Sequence, residues 1–320
     1  MLRTSRRSRA FALIGVALLA TVLAQPAGAT TPGRNGRIAF QAATDAGLQI
    51  FTVRSNGKDL QQVTHVDGDA TQVDWSPDGR RLAFSVNECS IAIIDADGSN
   101  YALLAEDPDL CQTDPVFTAD GQRLVYERFD FVAEVDAIWS MKTDGSDKQL
   151  LTLAGGADPN VSPDGSRVSF KAGPFGALHV QNMDGSGLHQ ATPDWDIAYK
   201  HDWSPDGSRI VISDNAEPGP GEPVNIATVR PDGTGLRYLT HYPGPAQANV
   251  GSYSPDGQFI VFRLSLNGQY TLYRMRTDGS DLHAILGPSE FLPRHIDWGP
   301  APGRSFPIVP LTPVAPVALP

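Results

Sequence analysis

Residues 74–84 read Asp-Trp-Ser-Pro-Asp-Gly-Arg-Arg-Leu-Ala-Phe, a tight polar turn followed at once by an apolar run. The order returns as Phe117-Thr118-Ala119-Asp120-Gly121 before Arg123-Leu124-Val125-Tyr126, and as Val161-Ser162-Pro163-Asp164-Gly165 before Arg167-Val168-Ser169-Phe170. Trp203-Ser204-Pro205-Asp206-Gly207 before Arg209-Ile210-Val211-Ile212 is the fourth copy, and Tyr253-Ser254-Pro255-Asp256-Gly257 before Ile260-Val261-Phe262 the fifth. The chain start supplies the second half of a further copy, Asn35-Gly36-Arg37-Ile38-Ala39-Phe40, and the chain end supplies the first half, Ile296-Asp297-Trp298. The motif glycines recur with a mean step of about 44 residues.

A second turn runs in phase with the first: Asn56-Gly57, Asp97-Gly98, Asp144-Gly145, Asp184-Gly185, Asp232-Gly233 and Asp278-Gly279. Such dipeptides between apolar runs mark hairpins, because both positions tolerate positive φ. Each repeat therefore holds two hairpins, and fourth strands end in Val63-Thr64, Leu151-Thr152 or Leu239-Thr240. Four strands at this period, with no helical periodicity between them, predict an all-β, six-bladed propeller of four-stranded antiparallel blades. An open ring would leave sheet edges exposed. The split copy therefore predicts closure, with His295 to Trp298 completing the blade begun by Arg37 to Thr64.

With its Ser-Pro-Asp-Gly motif, trailing Asp-Gly turn and terminal Leu-Thr, the chain resembles the TolB-like propellers with WD40-like PD40 repeats. The resemblance spans residues 34–300 and implies the fold. TolB itself carries an extra α/β domain between its signal and its propeller, whereas here only Thr30 to Arg34 separate the expected cleavage site from the first strand. Relatives with this type of propeller include peptidases and oligogalacturonate lyases, so the resemblance does not by itself assign a function.

At the chain start, Arg3, Arg6, Arg7 and Arg9 precede an apolar run from Phe11 to Ala24, followed by Ala27-Gly28-Ala29. This is the layout of a secretory signal, expected to cover residues 1–29 and to deliver an extracytoplasmic, secreted or periplasmic protein. The run is too short for a spanning helix, so no stable membrane span is expected. Loss of the signal's four arginines moves the formal charge from −11 to about −15. That balance repels phosphate backbones and argues against nucleic acid as a partner. Residues 301–320 are Pro-rich and expected to be extended or disordered.

The sequence holds no nucleophile elbow, metalloprotease helix or phosphate loop. The aspartates Asp78, Asp120, Asp164, Asp206 and Asp256 fit turn formation, not acid–base chemistry. Function is expected on the longer connections, at the end of the ring opposite the short turns, with the segments Glu127 to Asp136, Thr192 to Lys200, Ser213 to Pro223 and Thr240 to Asn249. Their aromatics Phe129, Phe131, Trp195, Tyr199 and Tyr242 are candidate anchors for a partner, either an envelope or secreted protein or a cell-envelope polysaccharide. Cys89 and Cys111, the only two cysteines, are expected to pair. No cofactor is expected. The alternative is a lyase-type carbohydrate-active enzyme with a divalent metal on His65, His201, His241 and His295 at the channel mouth.

Overall fold

The computed structural model describes residues 32–105, 109–152, 155–198, 200–215, 222–289 and 293–303. The expected signal peptide, Tyr199, much of the segment 213–223 and the tail from residue 304 lie outside the described residues.

Six antiparallel sheets form the blades. Blade 2 runs outward through Ala70–Trp75, Arg81–Val86, Ser90–Asp95 and Ala102–Ala105. Blade 3 begins with Leu110–Phe117, blade 4 with Ala157–Val161 and blade 6 with Gln247–Tyr253. In blade 5 the innermost strand is split into Asp196–Ile197 and Asp202–Trp203, both paired with Ile210–Asn215. Blade 1 takes its innermost strand, Arg294–Pro300, from the chain end and the rest, beginning with Asn35–Thr44, from the chain start. Ile38 faces Trp298 and Ala39 faces Asp297 in that pairing, so the predicted closure is present. The innermost strands touch one another in order around a central channel.

The motif residues build the turns. In the first full copy Ser76 Oγ donates to Asp78 Oδ1 at 2.7 Å and accepts the Arg81 N–H at 2.9 Å. Gly79 takes φ 67°, and a Cβ there would sit 2.2 Å from the Pro300 carbonyl, so glycine is required on both counts. Equivalent bonds recur at Thr118/Asp120, Ser162/Asp164, Ser204/Asp206 and Ser254/Asp256. The terminal threonines close the outer edge: Thr64, Thr192 and Thr240 each accept a third-strand N–H, from Ile50, Leu178 and Ile226.

Apolar side chains fill the spaces between blades. Ala39, Ile50 and Val63 of blade 1 pack with Trp75, Leu82 and Phe84 of blade 2, and Phe40 and Val53 pack with Val261 and Leu272 of blade 6. Full burial of a side chain such as Phe84 contributes about 2–3 kcal/mol. The large core and the closed ring hold the channel geometry fixed.

Two expectations about the connections change. The segment Glu127 to Asp136 is mostly strand, because the pairing of Arg123–Asp130 with Val135–Lys142 continues to Val135 opposite Asp130. Only residues 131–134 form the turn. In blades 1 and 6 the second-to-third connections are tight as well, at Asp45-Ala46 and Asn267-Gly268.

Candidate functional site in the central channel

Each innermost strand carries an aromatic or apolar residue just before its turn: Trp75, Phe117, Val161, Trp203, Tyr253 and Trp298. The residue immediately before it ties neighbouring blades together. Asp297 Oδ2 accepts the Trp75 N–H at 2.8 Å, Asp74 Oδ2 accepts that of Phe117 at 2.9 Å, and Asp202 Oδ2 accepts that of Tyr253 at 2.8 Å. Ser252 Oγ does the same for Trp298. Asn160 instead donates to the His201 carbonyl at 2.9 Å.

Three residues before the aromatic, the strands bulge. Pairing registers slip between Thr71 and Asp74, Thr113 and Val116, Ala157 and Asn160, and Val250 and Tyr253. The six residues at that position are Gln72, Asp114, Asp158, Lys200, Val250 and His295. Four of them are non-glycine residues at left-handed φ: Gln72 at 54°, Asp114 at 49°, Asp158 at 50° and His295 at 44°. Such backbone costs on the order of 1 kcal/mol or more per residue and persists where the surroundings enforce it.

All of these except Val250 line one small cavity, together with His201. The repeat explains the position but not the chemistry. The Ser or Thr and the Asp of the motif turn recur in five copies because each turn has the same need. The channel position instead reads Gln, Asp, Asp, Lys, Val, His.

A supporting set lies one residue after the second-strand aromatic or aliphatic residue: Gln41, Ser85, Glu127, Lys171, Ser213 and Arg263. Several of these reach into the next blade's bulge. Gln41 Oε1 accepts the Gln72 N–H, Ser85 Oγ that of Asp114, and Ser213 Oγ that of Val250. Glu127 accepts the Asp158 N–H. The strained positions are therefore held from behind by side chains that are themselves unlike one another.

Charge is concentrated here. The break in blade 5's inner strand releases Lys200 into the channel, where Nζ lies 2.9 Å from Asp297 Oδ1 and 3.9 Å from Asp74 Oδ1. Burial works against the ammonium, but Asp297, Asp74 and Asp202 outweigh it and raise the Lys200 pKa. Asp74 is raised well above the usual carboxylate range by burial and then by Asp297. Across the channel, burial and then Asp158 raise Asp114 in the same way. Asp158 is raised by burial despite Lys171, which lies 3.5 Å from it and 3.3 Å from Asp196. Glu127 is pushed up to about 7 by burial, Asp158 and Asp136. His201 and His295 are each lowered to about 3, His201 by burial, Lys171 and Lys200 and His295 by burial, Lys200, Arg294 and Arg263, so both imidazoles are neutral.

The sequence candidates separate. His201 and His295 line the cavity, but His65 is exposed and within 3.1 Å of Gln62, and exposed His241 stands beside Tyr238 on blade 5. Equivalent positions in blades 1 and 5 point apart around the ring, so the four histidines do not form one site. Among the described residues no group of three or more His, Cys, Asp or Glu is arranged to hold a metal.

Of the aromatic candidates, Trp195 and Tyr242 are half-buried, Trp195 against the cluster between blades 4 and 5 and Tyr242 against that between blades 5 and 6. Phe129 is half-buried and packs edge-on to Phe131, which is 52 % exposed beside Val132 at 78 %. Phe175, at 58 %, projects from the corresponding connection of blade 4 and was not among the sequence candidates. Cys89 and Cys111 are disulfide-bonded, joining a connection of blade 2 to the inner strand of blade 3 at this same end.

Solved structures with this architecture decide the comparison. TolB from Acinetobacter baumannii superposes with a TM-score of 0.68 at 19 % identity, over 83 % of this chain and 67 % of that one. By fold, the chain is a six-bladed propeller similar to that of TolB. An oligogalacturonate lyase in complex with manganese matches less closely, with a TM-score of 0.53 at 16 % identity over 81 % of each chain. Residues 38–105 of the TolB-like propeller also match the WD40 domain family of anaphase-promoting complex subunit 4. In sequence it is 26 % identical over 219 residues to an uncharacterized protein of Agrobacterium fabrum, covering 68 % of this chain and 70 % of that protein. It is 27 % identical over 198 residues to the uncharacterized peptidase YuxL of Bacillus subtilis, covering 48 % of this chain and 29 % of the peptidase.

Proposed function

We propose that the TolB-like propeller is an exported, non-catalytic binding protein that holds a protein or envelope polymer at the channel mouth and its surrounding face. The observation that carries this reading is the set of unlike residues at one structurally repeated position, Gln72, Asp114, Asp158, Lys200 and His295 around one cavity, all but Lys200 at left-handed φ. A purely structural role would favour similar residue types around the ring, as the Ser or Thr and Asp of five motif turns show. Strain maintained at a chemically varied mouth fits recognition. The exposed Phe131, Val132 and Phe175 supply apolar contact beside it. Export rests on the signal-like leader, and the Cys89–Cys111 bond fits an oxidising compartment.

The lyase-type reading would need a metal at the mouth, and the separation of His65 and His241 from His201 and His295 argues against the donor set it requires. Affinity capture from the cell's own envelope tests the binding reading. A partner retained by the wild type and lost with F131S/F175S supports it. Equal retention by both, or β-elimination of a polysaccharide by the purified wild type, counts against it.

A further inference from the structure

We infer that the blade 3–blade 4 side of the channel is a receptor for a primary ammonium group carried on a slender aliphatic stem. This rests on the binding reading above and names the chemical class that the mouth would take.

The channel already binds one such group from its own chain: the Lys200 ammonium, on Asp297 and Asp74. On the opposite wall Asp114 and Asp158 form a second carboxylate pair facing the same cavity. Asp114 Oδ2 accepts one bond there, from Gln72 Nε2 at 2.5 Å, and has no salt bridge among the described residues. Lys171 serves Asp158 from the second strand of blade 4 but is shared with Asp196. The remaining charges facing this side are Glu127 and Asp136 of blade 3, while Arg263 and Arg294 lie toward His295 on the far side. Burial and mutual repulsion raise Asp114 and Asp158, so a cation seated between them is what would let both carboxyls ionise.

The second observation is His201, 1 % exposed and on the cavity wall. Its Nε2 lies 2.8 Å from Ser169 Oγ, which also accepts from Trp203 Nε1. Ser169 has one proton for two acceptors, the Asn160 carbonyl at 3.2 Å and His201 Nε2 at 2.8 Å. In the tautomer this inference requires, that proton goes to Asn160 and His201 Nε2–H donates to Ser169. The other nitrogen, Nδ1, is then a bare acceptor, and it is buried without a partner. An unmet buried acceptor is costly. Asp114, Asp158 and His201 Nδ1 provide three acceptors around one cavity, the number an ammonium can satisfy. The cavity volume of about 20 Å³ admits a group the size of one water molecule, which suits an ammonium and is too small for a guanidinium.

The stem could belong to a lysine of a protein partner or to a free diamine. Titration calorimetry with Nα-acetyl-lysine amide, cadaverine and agmatine, on wild type and on D114N/D158N, tests the inference and separates these sources. The expected result is saturable binding of the lysine amide or cadaverine in the millimolar range or tighter, with agmatine and the double variant weaker by more than about tenfold. Preference for the lysine amide indicates a protein side chain, and preference for cadaverine a free diamine. Each substitution is isosteric and removes an ionisable carboxyl, and a circular-dichroism spectrum matching the wild type verifies the fold. A single variant, H201F, removes the Nδ1 acceptor and gives an independent expected loss. No saturable amine binding, or equal binding by wild type and D114N/D158N, overturns the inference. Envelope capture that persists in that case leaves the binding reading intact.

Discussion

Lys200 Nζ lies 2.9 Å from Asp297 Oδ1, although the two residues enter the channel from blades 5 and 1. Asp297 in turn accepts the Trp75 N–H of blade 2, so one carboxylate joins three blades, one of them the blade that closes the ring. Replacing Lys200 with methionine leaves Asp74, Asp202 and Asp297 buried without that cation. K200M is expected to lower stability by about 3–5 kcal/mol. The loss should be smaller at pH 5 than at pH 8, since protonating Asp74, which burial and Asp297 raise well above the usual carboxylate range, relieves the same repulsion. Denaturant melts at the two pH values check this, and K200M/D297N should recover part of the loss.

Closure by the chain end predicts a further sensitivity. Trp298 is 3 % exposed, packs with Phe40 and Val53, and donates its N–H to Ser252 of blade 6. W298A is expected to cost about 3–5 kcal/mol. Hydrogen exchange should show the increased opening first in Asn35–Thr44, whose inner partner strand is the one weakened.

Glu127 gives a pH-dependent signature. Its folded pKa, about 7, is above its ordinary value of 4.5, so the folded state binds the proton more tightly. This contribution to stability is full below pH 4.5, declines as pH rises toward 7 and is lost above that. E127Q keeps the acceptor for the Asp158 N–H but cannot ionise. Thermal melts should show E127Q more stable than wild type at pH 8 and indistinguishable from it at pH 4.5.

Reduction tests the staple between blades 2 and 3. The Cys89–Cys111 bond spans a sequence separation of 22 residues. Its removal in C89S/C111S should lower unfolding free energy by about 3 kcal/mol on a chain-entropy account. The blades should remain formed, because their pairing and cores are independent of the bond. An unchanged far-ultraviolet spectrum with a lower denaturation midpoint is the expected result.

The fold was legible because its determinants repeat. Ser76 and Asp78 make the same bonds as their counterparts four more times, and Ile296-Asp297-Trp298 reads as the missing half of Asn35 to Phe40. The site was less legible because it lies where the repeat stops repeating. Lys200 fell inside a segment read as a loop, and no spacing rule shows that the inner strand of blade 5 breaks there. Alignment of the six copies on Trp75, Phe117, Val161, Trp203, Tyr253 and Trp298 exposes Gln72, Asp114, Asp158, Lys200, Val250 and His295 as the divergent column. That signal was available, but the left-handed bulge that turns the column into the channel required the structure. Trp195 and Tyr242 show what sequence cannot give about an aromatic in a connection: both are half-buried against clusters shared by two blades.

The central claim is that a partner is held at the channel mouth and the face around it. A photo-crosslinking residue at Phe131, on that face, compared with one at Leu282, exposed beside a short turn at the other end, tests it most directly. The account predicts a discrete adduct in the cell's own envelope from position 131 and none from position 282. An adduct from position 282 alone, or the same adduct from both, would contradict it.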